Sequence, residues 1–92
     1  MILLAFDSSA AACSVALWSN GVTIAREWRP MERGHAEVLV PLIEAALEHS
    51  AVRFEDLDAV ATTVGPGSFT GVRIGLATAH GFSLALGIPA LG

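Results

Sequence analysis

The sequence contains no lysine and no tyrosine, only one cysteine and few charged side chains, and each shortage excludes a class of protein. Charged residues make up 15% of the 92 positions, and nine acidic residues outnumber five arginines, which gives a formal net charge of -4. A protein that binds nucleic acid by itself needs a basic patch, and five scattered arginines do not form one. Cys13 alone can form neither an internal disulfide nor a cysteine-rich zinc site, so we expect a reducing, cytoplasmic environment.

Apolar residues, by contrast, are more abundant than a small domain needs. Hydrophobic residues make up 53% of the sequence, and a small domain buries a smaller share of its surface than a large one. The uncharged stretch 74–92 is broken by glycines and Pro89, and the N-terminus reaches Asp7 too early for a secretory signal. We therefore expect no membrane contact, and we expect apolar surface that faces another protein or a missing part of the same one.

The first third of the chain has the pattern of an antiparallel meander. An unbroken apolar run at 2–6 predicts a strand buried on both faces, and strict alternation at 12–18 predicts a second strand. Asn20 and Gly21 accept the positive φ of a tight hairpin turn. Residues 22–28 are therefore predicted to return as a third strand.

The middle of the chain predicts a helix with two apolar stripes. Over 35–49, one stripe includes Leu39 and Ile43, and a second stripe beside it includes Val38 and Leu42. A helix that packs only on its own sheet needs one stripe. The second stripe predicts contact with a partner.

The last third predicts a crossover. Residues 58–64 have the pattern of a fourth strand, and a glycine-rich loop at 65–71 leads into a second helix over 72–86, which Gly87 ends. The segment 89–92 resembles the start of a fifth strand. Because a crossover helix normally returns to a full strand of the same sheet, we expect the chain to be truncated there.

The glycine-rich loop and the tip of the first hairpin are candidate phosphate-binding elements. Amides at a helix N-terminus bind anions, and Gly65, Gly67 and Ser68 precede the second helix while Asp7 and Ser8 follow the first strand. The glycine spacing, G-x-G-x-x-x-G, matches neither the dinucleotide fingerprint nor the Walker loop. Both segments also suit ordinary turns, and the pattern alone favours that interpretation.

Nucleophilic and metal-based catalysis have weaker support. A serine of these loops could combine with His35 or His80 and with Asp7 in a hydrolase, but no G-x-S-x-G elbow is present. A helical metal pair would need a second ligand one turn after His35, and a leucine occupies position 39. We assign no catalytic residue and no metal ligand.

Small residues recur every four positions on the second helix, at Gly71, Gly75 and Ala79. Such a stripe lets either the sheet or another helix approach closely. Both predicted helices are apolar nearly all round, which favours a helical interface with a partner. The predicted interface consists of Val38, Leu42, Ile43, Gly71, Gly75, Ala79 and Phe82.

Three segments carry a family resemblance: ILLAFDSS at 2–9, MERGHAE at 31–37 and, above all, GPGSFTGVRIGLATA at 65–79. They resemble the bacterial TsaB family, formerly called YeaZ. The resemblance implies an α/β fold of the actin-like, ribonuclease-H-like class, with a five-stranded mixed sheet and helices packed on it. It also implies that residues 1–92 form the N-terminal lobe and that a second lobe is absent.

The resemblance further implies a function in making N6-threonylcarbamoyladenosine at position 37 of tRNA. The resemblance implies a noncatalytic subunit that pairs with the metal-bearing paralogue TsaD and activates it. The pairing would use the two helices of this lobe, and the ATPase TsaE would be a further partner. ATP is then handled by partner proteins, this chain holds no cofactor, and tRNA is reached indirectly. A homodimer through the same helices is expected when the partner is missing.

A second interpretation remains open on the sequence. The chain could belong to an actin-like nucleotide-binding enzyme or a homologue of M22-type glycoproteases. Asp7, Ser8 and the 65–71 loop would then contact phosphate groups. Enzymatic activity of the isolated chain is thus an open question at this point.

Overall fold

The computed structural model describes residues 1–8, 12–30, 35–62 and 69–91. These residues form five strands, two α-helices and one 3-10 turn at Phe54–Asp56. The strands are β1 (Ile2–Asp7), β2 (Ala12–Ser19), β3 (Val22–Pro30), β4 (Ala59–Thr62) and β5 (Ala90–Leu91). The helices are α1 (His35–Ser50) and α2 (Phe69–Leu86).

The predicted order of elements is confirmed, although several elements begin or end one to three residues from the predicted positions. β4 begins one residue later than predicted, although the Asp58 N–H already donates to the Ile2 carbonyl oxygen at 2.9 Å. α2 begins at Phe69, three residues before the predicted start. Glycine lowers helix stability by only about 1 kcal/mol, so Gly71 lies within the helix instead of ending the loop.

The five strands form one mixed sheet in the order β3-β2-β1-β4-β5. β2 is antiparallel to both β1 and β3, while β4 is parallel to both β1 and β5. The hairpin between β2 and β3 turns at Asn20 and Gly21, with φ of 53° and 82°. The antiparallel meander and the crossover are therefore both as predicted.

Both helices lie on the same face of this sheet. Residues that pair in register on neighbouring strands point to the same face of a sheet. One such row of paired residues runs from Glu27 through Val15 and Phe6 to Thr62. At one end of the row the Glu27 Oε2 lies 2.6 Å from Nδ1 of His49 on α1. At the other end Thr62 underlies α2, so the two helices share this face.

The hydrophobic core lies between the sheet and these helices. Phe82 of α2 packs edge-on against the rings of Phe6 and Phe54, with centroid distances of 6.5 and 5.0 Å. Such edge-to-face pairs add stability beyond the area that they bury. The fully buried side chains of the core include Leu4, Val15, Leu17, Leu39, Ile43 and Val60.

Each helix ends in a left-handed residue. Gly87, with φ of 66°, ends α2 as predicted, and its N–H donates to the Ser83 carbonyl oxygen at 2.9 Å. α1 ends in the same way at Ala51, with φ of 56°, and the Val52 N–H donates to the Leu47 carbonyl oxygen at 3.1 Å. Alanine is disfavoured in this conformation because its Cβ crowds the following carbonyl oxygen.

Neither helix in the described part of the chain is long and apolar enough to cross a membrane.

Replacing Ala51 with glycine should therefore stabilise the protein. We expect Ala51→Gly to raise the free energy of unfolding by about 1 kcal/mol, because glycine adopts positive φ without strain. The matched control is Ala77→Gly, at an exposed position inside α2, which should lower stability by about 1 kcal/mol. Urea denaturation measures the free energy of unfolding of both variants. Equal losses of stability in the two would contradict the strain at Ala51.

Candidate functional site

Polar side chains and a glycine meet where β1 and β4 end beneath α2. Ser8 directly follows β1 and is buried, and Thr62 is the buried last residue of β4. A Cβ placed on Gly75 of α2 would lie 2.6 Å from the Thr62 Oγ1 and 3.3 Å from the Ser8 Oγ. These three residues bring the helix into direct contact with the carboxyl ends of two parallel strands, the edge at which α/β sheets commonly bind ligands.

Thr62 is the member of this cluster that the sequence analysis missed. Its Oγ1 is buried and has no hydrogen-bond partner among the described residues. A buried hydroxyl without a partner lowers stability. The available signal was the position of Thr62 at the end of a buried strand, next to the glycine-rich loop.

The candidate phosphate contacts are only partly described. Asp7 is the last residue of β1, and Ser8 follows it, as the sequence predicts. Gly65, Gly67 and Ser68 lie outside the described residues. The phosphate loop therefore stays a prediction.

Among the described candidates for nucleophilic catalysis, His80 and Asp7 do not come together. His80 borders a cavity of about 300 Å³ on the helix side, with Thr62 and Leu76, whereas Asp7 borders another cavity on the opposite face of the sheet. The His35 side chain lies outside the described residues. Cys13 is fully buried, and burial, followed by the charge of Asp7, raises the pKa of its thiol, so it is unsuited to act as a thiolate.

Metal ligands are also dispersed. Within the described ranges, no three His, Cys, Asp or Glu side chains lie close enough to share a metal ion. Leu39, which stands where a helical ligand pair would need its second residue, lies in the core.

The predicted partner interface requires a correction. Ile43 is 1% exposed and Ala79 is 3% exposed, and Gly75 faces Thr62 of its own sheet. These three residues belong to the core of this chain and present no outer surface. A large side chain at position 75 would consequently disrupt the fold, because even a Cβ there would lie 2.6 Å from the Thr62 Oγ1.

The other predicted interface residues have mixed positions. Leu42 is buried in the core, while Val38 and Phe82 are half-buried against it. Gly71 lies in α2, but its surroundings are outside the described residues. The interface itself stays a prediction.

A second stripe of small residues lies on the outer side of α2. Ala77, Gly81 and Ala85 are exposed and recur every four positions, and a Cβ on Gly81 would meet no atom within 4 Å. Leu84 beside them is 72% exposed. Residues two positions apart on a helix are separated by about 200° around the helix axis. This stripe therefore points away from the stripe that includes Gly75.

The contact between Gly75 and Thr62 predicts a specific coupling. Gly75→Ala should lower the free energy of unfolding by about 1–3 kcal/mol, because the added methyl group overlaps the Thr62 Oγ1. In a Thr62→Ala background the same substitution should have a much smaller effect, because the overlapping atom is gone. Urea denaturation of the unsubstituted protein, the two single variants and the double variant gives the coupling energy between the two positions.

Gly81→Ala is the control for that cycle. It adds the same methyl group to the same helix in open space, and it should raise stability by up to about 1 kcal/mol through helix propensity alone. Equal effects at the two glycines, or no coupling with Thr62, would contradict the close approach.

Comparison with known proteins identifies the family. The model of the family described as "TsaD: tRNA N6-adenosine threonylcarbamoyltransferase" matches residues 29–92. This chain belongs to that family. Within the family, it is 40% identical to the tRNA threonylcarbamoyladenosine biosynthesis protein TsaB of Escherichia coli (strain K12) over 92 residues, which are 100% of this chain and 39% of the relative.

Solved structures agree with this assignment. YeaZ from Pseudomonas aeruginosa is 40% identical and superposes with a TM-score of 0.92, over 98% of this chain and 42% of that chain. The resemblance to TsaB (YeaZ) is therefore confirmed. The ROK hexokinase from Thermus thermophilus, 19% identical, has a TM-score of 0.60 over 99% of this chain and 34% of that chain, which confirms the actin-like fold class alone.

The chain spans about two fifths of the length of these relatives.

Proposed function

We propose that this chain is a noncatalytic subunit in the biosynthesis of tRNA N6-threonylcarbamoyladenosine, and that it pairs with and activates a TsaD-type transferase. TsaE is proposed as a further partner. The proposal is supported by the names of the TsaB relatives that match along the whole chain. One structural observation carries it, namely the apolar outer side of α2.

That surface has the properties of a helix-docking site. The small stripe of Ala77, Gly81 and Ala85 allows a second helix to approach closely, and Leu76 and Leu84 supply exposed apolar contact area beside it. Exposed apolar residues that cluster on one surface commonly mark an interaction site. We accordingly assign the partner interface to this side of α2.

The neighbouring side of α1 adds a charge preference. Glu37, Glu44 and Glu48 are exposed on this helix, while Val40 is the exposed large apolar residue among them. Negative charge at the rim of an interface selects a positively charged partner surface and increases its rate of association. We expect the partner to place basic side chains opposite α1.

The proposal assigns ATP and tRNA to the partner proteins. The formal net charge of -4 and the lack of lysine do not favour strong binding of a polyanion by this chain. We therefore assign the contact with tRNA to the partner. The cytoplasm is the proposed location, since tRNA modification takes place there.

Gly81→Arg tests the interface without changing the core. The arginine enters open space and removes the close approach, so we expect the amount of TsaD-type partner that co-purifies with the tagged chain to fall at least about tenfold, a typical loss at an interface centre. Circular dichroism and a urea curve should show an intact fold.

Thr23→Arg is the matched control, because it introduces the same side chain at an exposed position on β3, where Thr23 pairs in register with Trp18 of β2. It should leave co-purification unchanged. If Gly81→Arg also leaves it unchanged while the protein is folded, the assignment of the partner interface to α2 is wrong.

Titration calorimetry with ATP and Mg²⁺ tests the alternative interpretation as a nucleotide-binding enzyme. We expect no binding tighter than about 1 mM, which corresponds to roughly 4 kcal/mol, because the described phosphate candidates Asp7 and Ser8 contribute no positive charge. A micromolar dissociation constant would favour the actin-like enzyme instead.

A further inference from the structure

The turn between β2 and β3 carries the single carboxamide side chain of the chain. Asn20 is the only asparagine in the sequence, which has no glutamine, and Gly21 follows it. Both residues are exposed at the tip of the hairpin. A Cβ built on Gly21 would meet no atom within 4 Å. Neither a side chain nor a neighbouring residue therefore shields the Gly21 main-chain nitrogen, which is the nucleophile nearest to the Asn20 amide carbon.

The reaction open to this pair needs only base and water. Asparagine is one of the residues that are chemically labile on heating. The Gly21 nitrogen gives up its proton to base in the solvent and attacks Cγ of Asn20, so that a nitrogen–carbon bond forms. The bond from Cγ to the side-chain nitrogen breaks, and ammonia leaves with a proton from water. Water then opens the resulting succinimide ring at either carbonyl carbon, which gives aspartate or isoaspartate.

The folded turn opposes the closure of this ring. The φ angles of 53° and 82° at positions 20 and 21 are those of a type I′ turn, and the ring requires a different rotation about the bond from Cα to the carbonyl carbon of Asn20. The Asn20 Oδ1 also accepts a hydrogen bond from the Met1 nitrogen at 3.2 Å, and the Asn20 N–H donates to the Met1 carbonyl oxygen at 3.3 Å. The turn must therefore open before Gly21 can attack.

Few contacts hold the β3 side of the tip closed. β2 pairs with β1 up to Ser19, whereas its pairing with β3 is irregular between Leu17 and Trp18. The pairs beyond this irregularity are Trp18 with Thr23 and Ser19 with Val22. Val22 and Thr23 are exposed, so opening of the tip gives up little buried apolar surface. Segments of this kind open far more often than the whole protein unfolds.

We propose that Asn20 is a site of spontaneous deamidation in the folded chain, and that opening of the hairpin tip sets the rate of the reaction. The products add a negative charge at the exposed turn. In isoaspartate the main chain runs through Cγ and is longer by one atom, which does not fit the two-residue turn that sets the register of Ser19 with Val22. Deamidation therefore loosens the hairpin. The proposal does not depend on the proposed function, which uses the helix side.

Intact mass spectrometry of the purified chain during incubation at mildly alkaline pH tests the proposal. Because the sequence has no other carboxamide side chain, the mass gain that accompanies conversion of an amide to an acid reports on position 20 alone. We expect the folded chain to deamidate at least about tenfold more slowly than the chain in guanidinium chloride, which corresponds to an opening free energy of about 1.4 kcal/mol or more. Peptide mapping should find isoaspartate at position 20.

Asn20→Gly is the control for the chemistry. Two glycines also suit a type I′ turn, and this variant has no amide to lose, so its mass should stay constant. Asn20→Asp separates the added charge from the longer main chain, because aspartate also tolerates positive φ. Freshly purified Asn20→Asp should keep a urea midpoint close to that of the unsubstituted protein, whereas an aged sample enriched in isoaspartate should have a lower midpoint.

Two results would overturn the proposal. If the folded chain keeps its mass while the unfolded chain deamidates, the tip does not open far enough for the reaction. If the folded and unfolded chains deamidate at equal rates, the turn exerts no control over it.

Discussion

The contact between Gly75 and Thr62 determines how the crossover helix lies on the sheet. Because glycine has no side chain, α2 approaches the end of β4 so closely that a Cβ at position 75 would lie 2.6 Å from the Thr62 Oγ1. That approach places Ala79 in the core one turn later and positions Phe82 against Phe6. The orientation of α2 about its own axis follows from this contact, and with it the set of residues that face outward.

The sequence predicted most of the fold, because its signals were local. Strict alternation in β2, the Asn20–Gly21 turn and the stop at Gly87 each depend on a few neighbouring residues, and all three are confirmed. The start of α2 was less predictable, since glycine at position 71 is compatible with both a loop and a first helical turn. Left-handed Ala51 had no sequence signal, because alanine rarely adopts this conformation.

The candidate site was harder to predict, for a physical reason. Periodicity shows which residues share a side of a helix, but it does not show which side meets the sheet. In α2 two stripes of small residues have the same four-residue period, and only packing reveals that Gly75 points inward and Gly81 outward. Thr62 joins the cluster through parallel pairing with β1, a long-range relation that no local pattern contains.

The exposed apolar residues lie in two places, on opposite sides of the sheet. The outer side of α2 carries Leu76 and Leu84, and the face of the sheet opposite the helices carries Trp28 and a row of alanines at positions 5, 16 and 61. Because the helices and the core separate these surfaces, occupation of one does not block the other. A homodimer through the helices would compete with a helical partner for the same residues, whereas an occupant of the opposite face of the sheet would leave α2 accessible.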